Sequence, residues 1–263
     1  MATYGAHAPR KRFGQNFLHD QGILRRIVEL VSPRPGERLI EIGPGEGALT
    51  LPLLRAAGSL TAIELDRDLI EPLKAKARAV GELTVISADA LTVDFTALAA
   101  GTPIRLVGNL PYNISTPILF HCLEHAASIR DMHFMLQKEV VERMAAPSGS
   151  KIYGRLSVML QLRCTVEPLL RVPPGAFRPA PKVDSAVVRL VPLPAQSLPQ
   201  VDGATLERVV RAAFGQRRKT LSNALSEVAT AAELQAAGID PRARAEQLEP
   251  SAFVAIARHL HAR

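Results

Sequence analysis

Arg38-Leu39-Ile40-Glu41-Ile42-Gly43-Pro44-Gly45-Glu46-Gly47 decides the fold of this chain. The apolar run up to Ile42 reads as a buried strand, the glycine cluster stops it in a turn, and Ala48 to Arg55 continues as a helix. Glycine has no Cβ, so such a loop bends sharply and lets a ligand lie against its backbone at the carboxyl end of the strand. The next strand, Leu60-Thr61-Ala62-Ile63-Glu64-Leu65, brings an acid 21 positions beyond Gly43 (64 − 43), where a carboxylate accepts from both hydroxyls of a ribose. A third strand, Leu83-Thr84-Val85-Ile86-Ser87, delivers Asp89, a second acid placed to read an adenine amino group.

Two adenosine-bearing ligands compete for this layout. A dinucleotide site uses G-x-G-x-x-G, whose third glycine allows close packing of helix on strand and whose helix start faces a pyrophosphate. Here the spacing is Gly43-x-Gly45-x-Gly47, one residue shorter, and Glu46 stands where the pyrophosphate would approach. Negative charge is unfavourable there but harmless or helpful near the cationic sulfonium of S-adenosylmethionine. The sulfonium ligand fits better, and a nicotinamide dehydrogenase is the disfavoured alternative.

Downstream, Ile104-Arg105-Leu106-Val107-Gly108 leads into Asn109-Leu110-Pro111-Tyr112. The carbonyl oxygens of Asn109 and Leu110 can both accept from an exocyclic NH2 group while Tyr112 stacks on the ring that carries it. Read alone the tetrapeptide is equally a turn after a strand. Its meaning comes from the glycine loop, Glu64 and Asp89 upstream.

Together with Phe177-Arg178-Pro179-Ala180-Pro181-Lys182-Val183-Asp184-Ser185, with Arg12-Phe13-Gly14-Gln15-Asn16-Phe17-Leu18 and with Arg217-Arg218-Lys219-Thr220-Leu221-Ser222-Asn223-Ala224-Leu225, these motifs resemble the ribosomal RNA adenine N6,N6-dimethyltransferases over nearly the whole chain. Within that superfamily the chain is similar to the bacterial small-subunit enzymes associated with kasugamycin sensitivity. The resemblance implies a Rossmann-like α/β fold of the S-adenosylmethionine-dependent methyltransferases, a seven-stranded, mostly parallel sheet whose last strand runs antiparallel, followed by a small all-helical C-terminal domain. It implies dimethylation of two adjacent adenosines near the 3′ end of 16S ribosomal RNA, a substrate met in an immature 30S particle during ribosome biogenesis. Asn16 and Leu18 are carried over as cofactor contacts, joining Gly43, Gly45, Glu64, Asp89 and Asn109; Asn109, Leu110, Tyr112 and Phe177 form the catalytic set. The alternatives are the macrolide-resistance type, which modifies large-subunit RNA, and a nucleic-acid-binding assembly factor that has lost catalysis.

Composition, read independently, agrees with a cytosolic protein that binds a polyanion. The chain of 263 residues is 47% hydrophobic, enough for one large domain and an appendage, and carries a net charge of +7. Its two cysteines, Cys122 and Cys164, lie in unrelated contexts, which points to a reducing compartment. No apolar run reaches the ~20 residues of a membrane span, and the N-terminus lacks the apolar core of a signal peptide. A soluble, cytoplasmic monomer with no metal and no membrane partner is expected. Residues 39–142 hold eight Lys/Arg against thirteen Asp/Glu, whereas residues 1–38 hold seven against three and residues 143–189 eight against two. Positive charge thus avoids the cofactor half and gathers on the N-terminal arm and around Phe177, the parts that face RNA if Asn109 opens toward substrate. Arg10, Lys11, Arg12, Arg178, Lys182, Arg217, Arg218 and Lys219 are the expected RNA contacts; a solvated basic surface is the alternative.

The pattern gives a catalytic domain over 1–192 with a basic arm over 1–20, an uncharged, proline-rich linker over 193–201, and a helical RNA-contacting domain over 202–263. A fifth strand is expected over Arg130–Gln137, a helix over Arg155–Leu162 and a strand over Thr165–Val172. Prolines on both sides of Phe177 limit the freedom of its loop, so the ring is presented to the second face of the base without a large ordering cost; otherwise it is a core plug. His121 and His125, at i and i+4 on a helix, are a candidate metal pair without a third ligand and read as packing residues.

Overall fold

The computed structural model describes residues 16–261. Arg10, Lys11 and Arg12 lie outside the described residues. Nine strands occur among them: β1 Phe17–Leu18, β2 Arg38–Ile42, β3 Ser59–Glu64, β4 Glu82–Ser87, β5 Ile104–Asn109, β6 Ile129–Gln137, β7 Cys164–Val172, β8 Phe177–Arg178 and β9 Ser185–Pro192. Seven build one sheet in the order β4-β3-β2-β5-β6-β9-β7, while β1 and β8 pair separately. Strands β4, β3, β2, β5 and β6 run parallel, and β9 runs antiparallel to β6, with Gln137 opposite Ser185. The expected seven-stranded, mostly parallel sheet is present.

Residues 39–42 of β2 are all buried, as a parallel strand covered on both faces requires. From β2 the chain proceeds to β3 on one side and later to β5 on the other, so β2 and β5 form the switch point of the sheet, where ligands of such folds bind beyond the carboxyl ends. Their approach is close. A Cβ on Gly108 would stand 2.6 Å from the carbonyl oxygen of Ile42. The helix expected from Ala48 begins two residues later, as Thr50–Ala57, because Ala48 and Leu49 still belong to the glycine turn.

At the amino ends of the strands sits a buried ion network. Arg105 Nε donates to both Asp131 oxygens at 2.9 and 3.1 Å, Nη1 to Glu37 at 2.7 Å and Nη2 to the Val31 carbonyl at 2.7 Å. It lies at the end of β5 away from Asn109 and fastens helix Gln21–Val31 to the sheet. That helix is capped by Asp20, whose Oδ1 accepts from Ile23 N at 2.9 Å, and buries Leu24, Ile27 and Val31.

The chain divides into two compact units. One runs to Val141 and resumes over Glu167–Pro192; the other takes Glu142–Val166 and the chain from Leu193 onward. The expectation of one uninterrupted domain over 1–192 is corrected accordingly. The reason is Tyr153, fully buried, whose ring meets Phe214 edge-on at 5.8 Å and whose hydroxyl donates to the Leu248 carbonyl at 2.9 Å. The 193–201 segment is also tied into the second unit: Leu193 N donates to Arg163 O at 2.8 Å, and the Gln200 carbonyl accepts from Arg258 Nε at 3.0 Å. Helices Arg155–Gln161, Gly203–Gly215, Leu221–Ala224, Ala231–Ala236 and Pro250–His261 build that unit around Val209, Val210, Leu234, Phe253 and Ile256. No helix among the described residues is long and apolar enough to cross a membrane.

Candidate active site

Beyond the carboxyl ends of β2, β3, β4 and β5 lies a cavity of about 340 Å³. Asn16, Gly43, Gly45, Glu64, Asp89, Asn109, Leu110 and Tyr112, all expected from the sequence, line it. Gly43 and Gly45 have φ of 69° and 56°, the left-handed region that glycine enters without strain. Gly47, with φ of 88°, performs the packing role of a third glycine: a Cβ there would stand 2.5 Å from Leu73 Cδ1 on helix Arg67–Ala77.

Glu64 closes β3 and holds the loop by its carboxylate. One oxygen accepts from Gly45 N at 3.1 Å and the other from Asp66 N at 2.8 Å. Burial raises the acid above the ordinary glutamate value, outweighing the backbone N–H groups of Asp66, Gly45 and Leu65 that favour its charge. Each oxygen retains capacity for a further donor. Asp89 turns one oxygen to Leu91 N at 3.0 Å, which fixes the residue after β4 at the cavity wall.

Asn109, the last residue of β5, donates from Nδ2 to the carbonyl of Asn16 at 2.9 Å. This settles the amide orientation, and Oδ1 is left as the acceptor. Leu110 is held by its own N–H on the Met135 carbonyl at 3.1 Å. Tyr112 lies half-buried on the following turn with its hydroxyl 2.7 Å from Ser185 Oγ. Two carbonyl acceptors and an aromatic face therefore meet beside a glycine loop and a ribose-type carboxylate. The set can hold a purine by its amino edge and a nucleoside cofactor next to it.

Two expected residues are not at the cavity. Leu18, 5% exposed, and Phe177, 2% exposed, pack together in the apolar cluster with Leu24 and Ile27. The expectation that Phe177 is presented as a stacking face is corrected: β8 pairs antiparallel with β1, Leu18 lies opposite Phe177, and the two share the inward side. Phe17 and Arg178, also opposite each other, take the other side. Phe17 lines the cavity, as do Leu65, Asn113 and Ile114, which the sequence reading missed. The signal for Phe17 was strand alternation, which sends neighbours to opposite faces.

Of the basic residues, Arg178, Lys182, Arg217, Arg218 and Lys219 are all exposed. Arg217 is engaged by the protein, donating from Nη2 to the carbonyls of Lys151 and Tyr153 at 2.8 and 3.0 Å. His121 Nε2 donates to the Val93 carbonyl, and His125 Nδ1 meets Thr96 Oγ1, both at 2.9 Å.

The fold and this cavity define a nucleoside-cofactor enzyme of the Rossmann-like methyltransferase class. Residues 6–262 match the family described as ribosomal RNA adenine dimethylase. A ribosomal RNA small subunit methyltransferase A of Xanthomonas campestris pv. campestris is 64% identical over 248 residues, 94% of this chain and 95% of its own. The crystal structure of a dimethyladenosine transferase from Plasmodium falciparum superposes with a TM-score of 0.75 at 26% identity, covering 91% of this chain and 95% of that one. That of the 23S rRNA methyltransferase ErmE gives 0.70 at 29% identity, covering 94% and 100%. The chain belongs to the ribosomal RNA adenine dimethylase family and is a methyltransferase.

Proposed function

We propose that this protein transfers methyl groups from S-adenosylmethionine to N6 of two adjacent adenosines near the 3′ end of small-subunit ribosomal RNA, giving N6,N6-dimethyladenosine in the immature 30S particle. The observation that carries the reading is the Asn109 carboxamide, oriented by Asn16 with its oxygen left to accept, in one cavity with Gly43, Glu64 and Tyr112. The 64% identical relative named for the small subunit favours that substrate over the large-subunit alternative, supported by a likeness of 29%. The intact Asn109, Tyr112, Gly43 and Glu64 speak against a factor that has lost catalysis. The protein acts as a monomer in the cytoplasm.

The residues fit the cofactor: Glu64 would take the ribose hydroxyls, the Gly43–Gly45 backbone would admit close approach, and Asp89 would read the adenine. The sulfonium supplies an already activated methyl group, so the chain's own work is alignment and exclusion of water. Adenine N6 is a weak nucleophile because its lone pair is delocalised into the ring. Acceptance of its hydrogens by Asn109 Oδ1 and the Leu110 carbonyl aims the lone pair and stabilises the positive charge that develops on nitrogen. Tyr112 stacks on the base, which leaves its own stack at a cost of a few kcal/mol. Arg178, on the Phe17 side of the β1–β8 pair, and Lys182 hold phosphates; Arg218 and Lys219 offer the second unit's contacts.

Labelled S-adenosylmethionine offered to purified small and large subunits lacking the modification, with nucleosides mapped by mass spectrometry, tests this. Label at two neighbouring adenosines of the small subunit is the expected result. Label in the large subunit, or none, overturns the reading.

A further inference from the structure

Tyr112 stands on the short turn between β5 and helix Ser115–Glu124, held locally by Ile114 N on the Pro111 carbonyl at 3.2 Å and by Ser115 Oγ on its own carbonyl at 3.1 Å. Those bonds fix its backbone but not its ring. The ring is fixed at its far end, where the hydroxyl meets Ser185 Oγ at 2.7 Å. Ser185 has no exposed surface and opens β9 opposite Gln137 of β6. The residue before it is tethered twice: the Asp184 carbonyl accepts from Lys138 N at 2.9 Å, and its carboxylate accepts from Arg171 Nη2 at 2.7 Å. Ser185 is therefore fixed by the sheet, and among the described residues Tyr112 is the side-chain partner of its hydroxyl.

We infer that Ser185 is a positioning residue for methyl transfer, fixing the direction of the Tyr112 ring axis and through it where the stacked base presents N6. The inference rests on the proposed adenine substrate. A buried hydroxyl needs a partner, and each of these two groups supplies the other's. The bond holds the phenol oxygen, so the long axis of the ring cannot swing through χ1, while rotation about χ2 leaves that oxygen in place. N6 projects from the rim of the purine, so a change in the ring axis is largest there, and misplacement by about 1 Å costs on the order of 10²-fold in rate. The second transfer is the more sensitive: N6-methyladenine must turn its first methyl aside before the remaining hydrogen and lone pair face the donor, which leaves fewer productive poses.

The test is a double-mutant cycle of Ser185→Ala and Tyr112→Phe, which remove the same bond from its two ends while keeping the ring. Each is expected to lower kcat by about tenfold, to raise the proportion of N6-methyladenosine over the dimethyl product and to leave cofactor affinity within about twofold; the double variant should be no worse than either single. Turnover and product ratio like those of the parent, multiplying losses, or a parallel fall in cofactor affinity would each overturn the inference. If Ser185→Ala does not fold, Tyr112→Phe decides alone, because it leaves Ser185 in place. A parent protein that binds the donor but methylates no adenosine sinks the proposed substrate instead, and the pinning is then read from the Tyr112 χ1 rotamer populations by NMR scalar couplings, averaged over rotamers in Ser185→Ala if the bond holds the ring and unchanged if it does not.

Discussion

Asn109 Nδ2 donates to the backbone carbonyl of Asn16 across 93 residues of sequence, at 2.9 Å, so a strand end and the segment entering β1 together decide which atom of the carboxamide faces the cavity. Asn109→Ala removes both the acceptor and this tie. Turnover should fall by about 10²-fold or more, the scale for loss of one oriented group at a developing charge, while donor affinity measured by calorimetry changes little. Asn109→Asp should fall comparably, since a carboxylate cannot donate to Asn16 and is repelled by its carbonyl. Unchanged turnover in either variant removes Asn109 from the chemistry.

Glu64 offers a pH-dependent readout of the cofactor half. Its carboxylate already accepts from Gly45 and Asp66, and burial raises its pKa above that of an ordinary glutamate. The charged form is the better acceptor for ribose hydroxyls, so donor affinity should decline as pH falls, starting at a higher pH than for an exposed glutamate. Glu64→Gln should weaken the donor by about 10- to 100-fold, the range for a hydrogen bond to a charged group, and flatten that decline while sparing RNA binding. A variant that keeps the parent's pH profile would show that another group governs it.

Much of this site was legible because its chemistry sits at strand ends. An apolar run followed by Gly43-Pro44-Gly45 fixes where a parallel strand stops, and Glu64 and Asn109 then fall at the same edge of the sheet by register, Ile42 beside Ile63 and Gly108. What was not legible depends on pairings distant in sequence. That Leu18 faces Phe177, sending both into the core and Phe17 to the cavity, follows from the antiparallel pairing of two-residue strands, too short for periodicity to register. The return of residues 142–166 to the C-terminal helices likewise rests on Tyr153 finding Phe214 and Leu248, a tertiary choice that the intervening strand pattern hides.

Gly45 and Phe17 should be coupled. Gly45 has φ of 56°, and a Cβ there would stand 3.0 Å from the Phe17 ring. Gly45→Ala then incurs about 1–2 kcal/mol for the left-handed backbone plus a clash with the ring. Donor affinity should drop in the single variant and recover in part with Phe17→Ala, giving a favourable interaction energy of about 0.5 kcal/mol or more in the cycle. Strictly additive effects would show that the ring yields freely and is not a fixed wall of the cavity.

Glu41, on β2 beneath the glycine loop, is 2% exposed, and burial pushes its carboxyl up to about 8, Thr50 opposing this only in part and the charge of Glu64 adding to it. Its ordinary value, 4.5, applies to the unfolded chain. Between these two values the folded protein holds a proton that the unfolded chain has released. This contribution to stability is therefore fully present at pH below the ordinary value and is lost as pH rises toward about 8, with a slope of up to about 1.4 kcal/mol per pH unit. Glu41→Gln keeps the shape and removes the proton, so its Tm should fall less than the parent's between mildly acidic and mildly alkaline buffer. Coincident Tm profiles for the two proteins would mean that Glu41 is ionised inside the sheet and that its charge is compensated there.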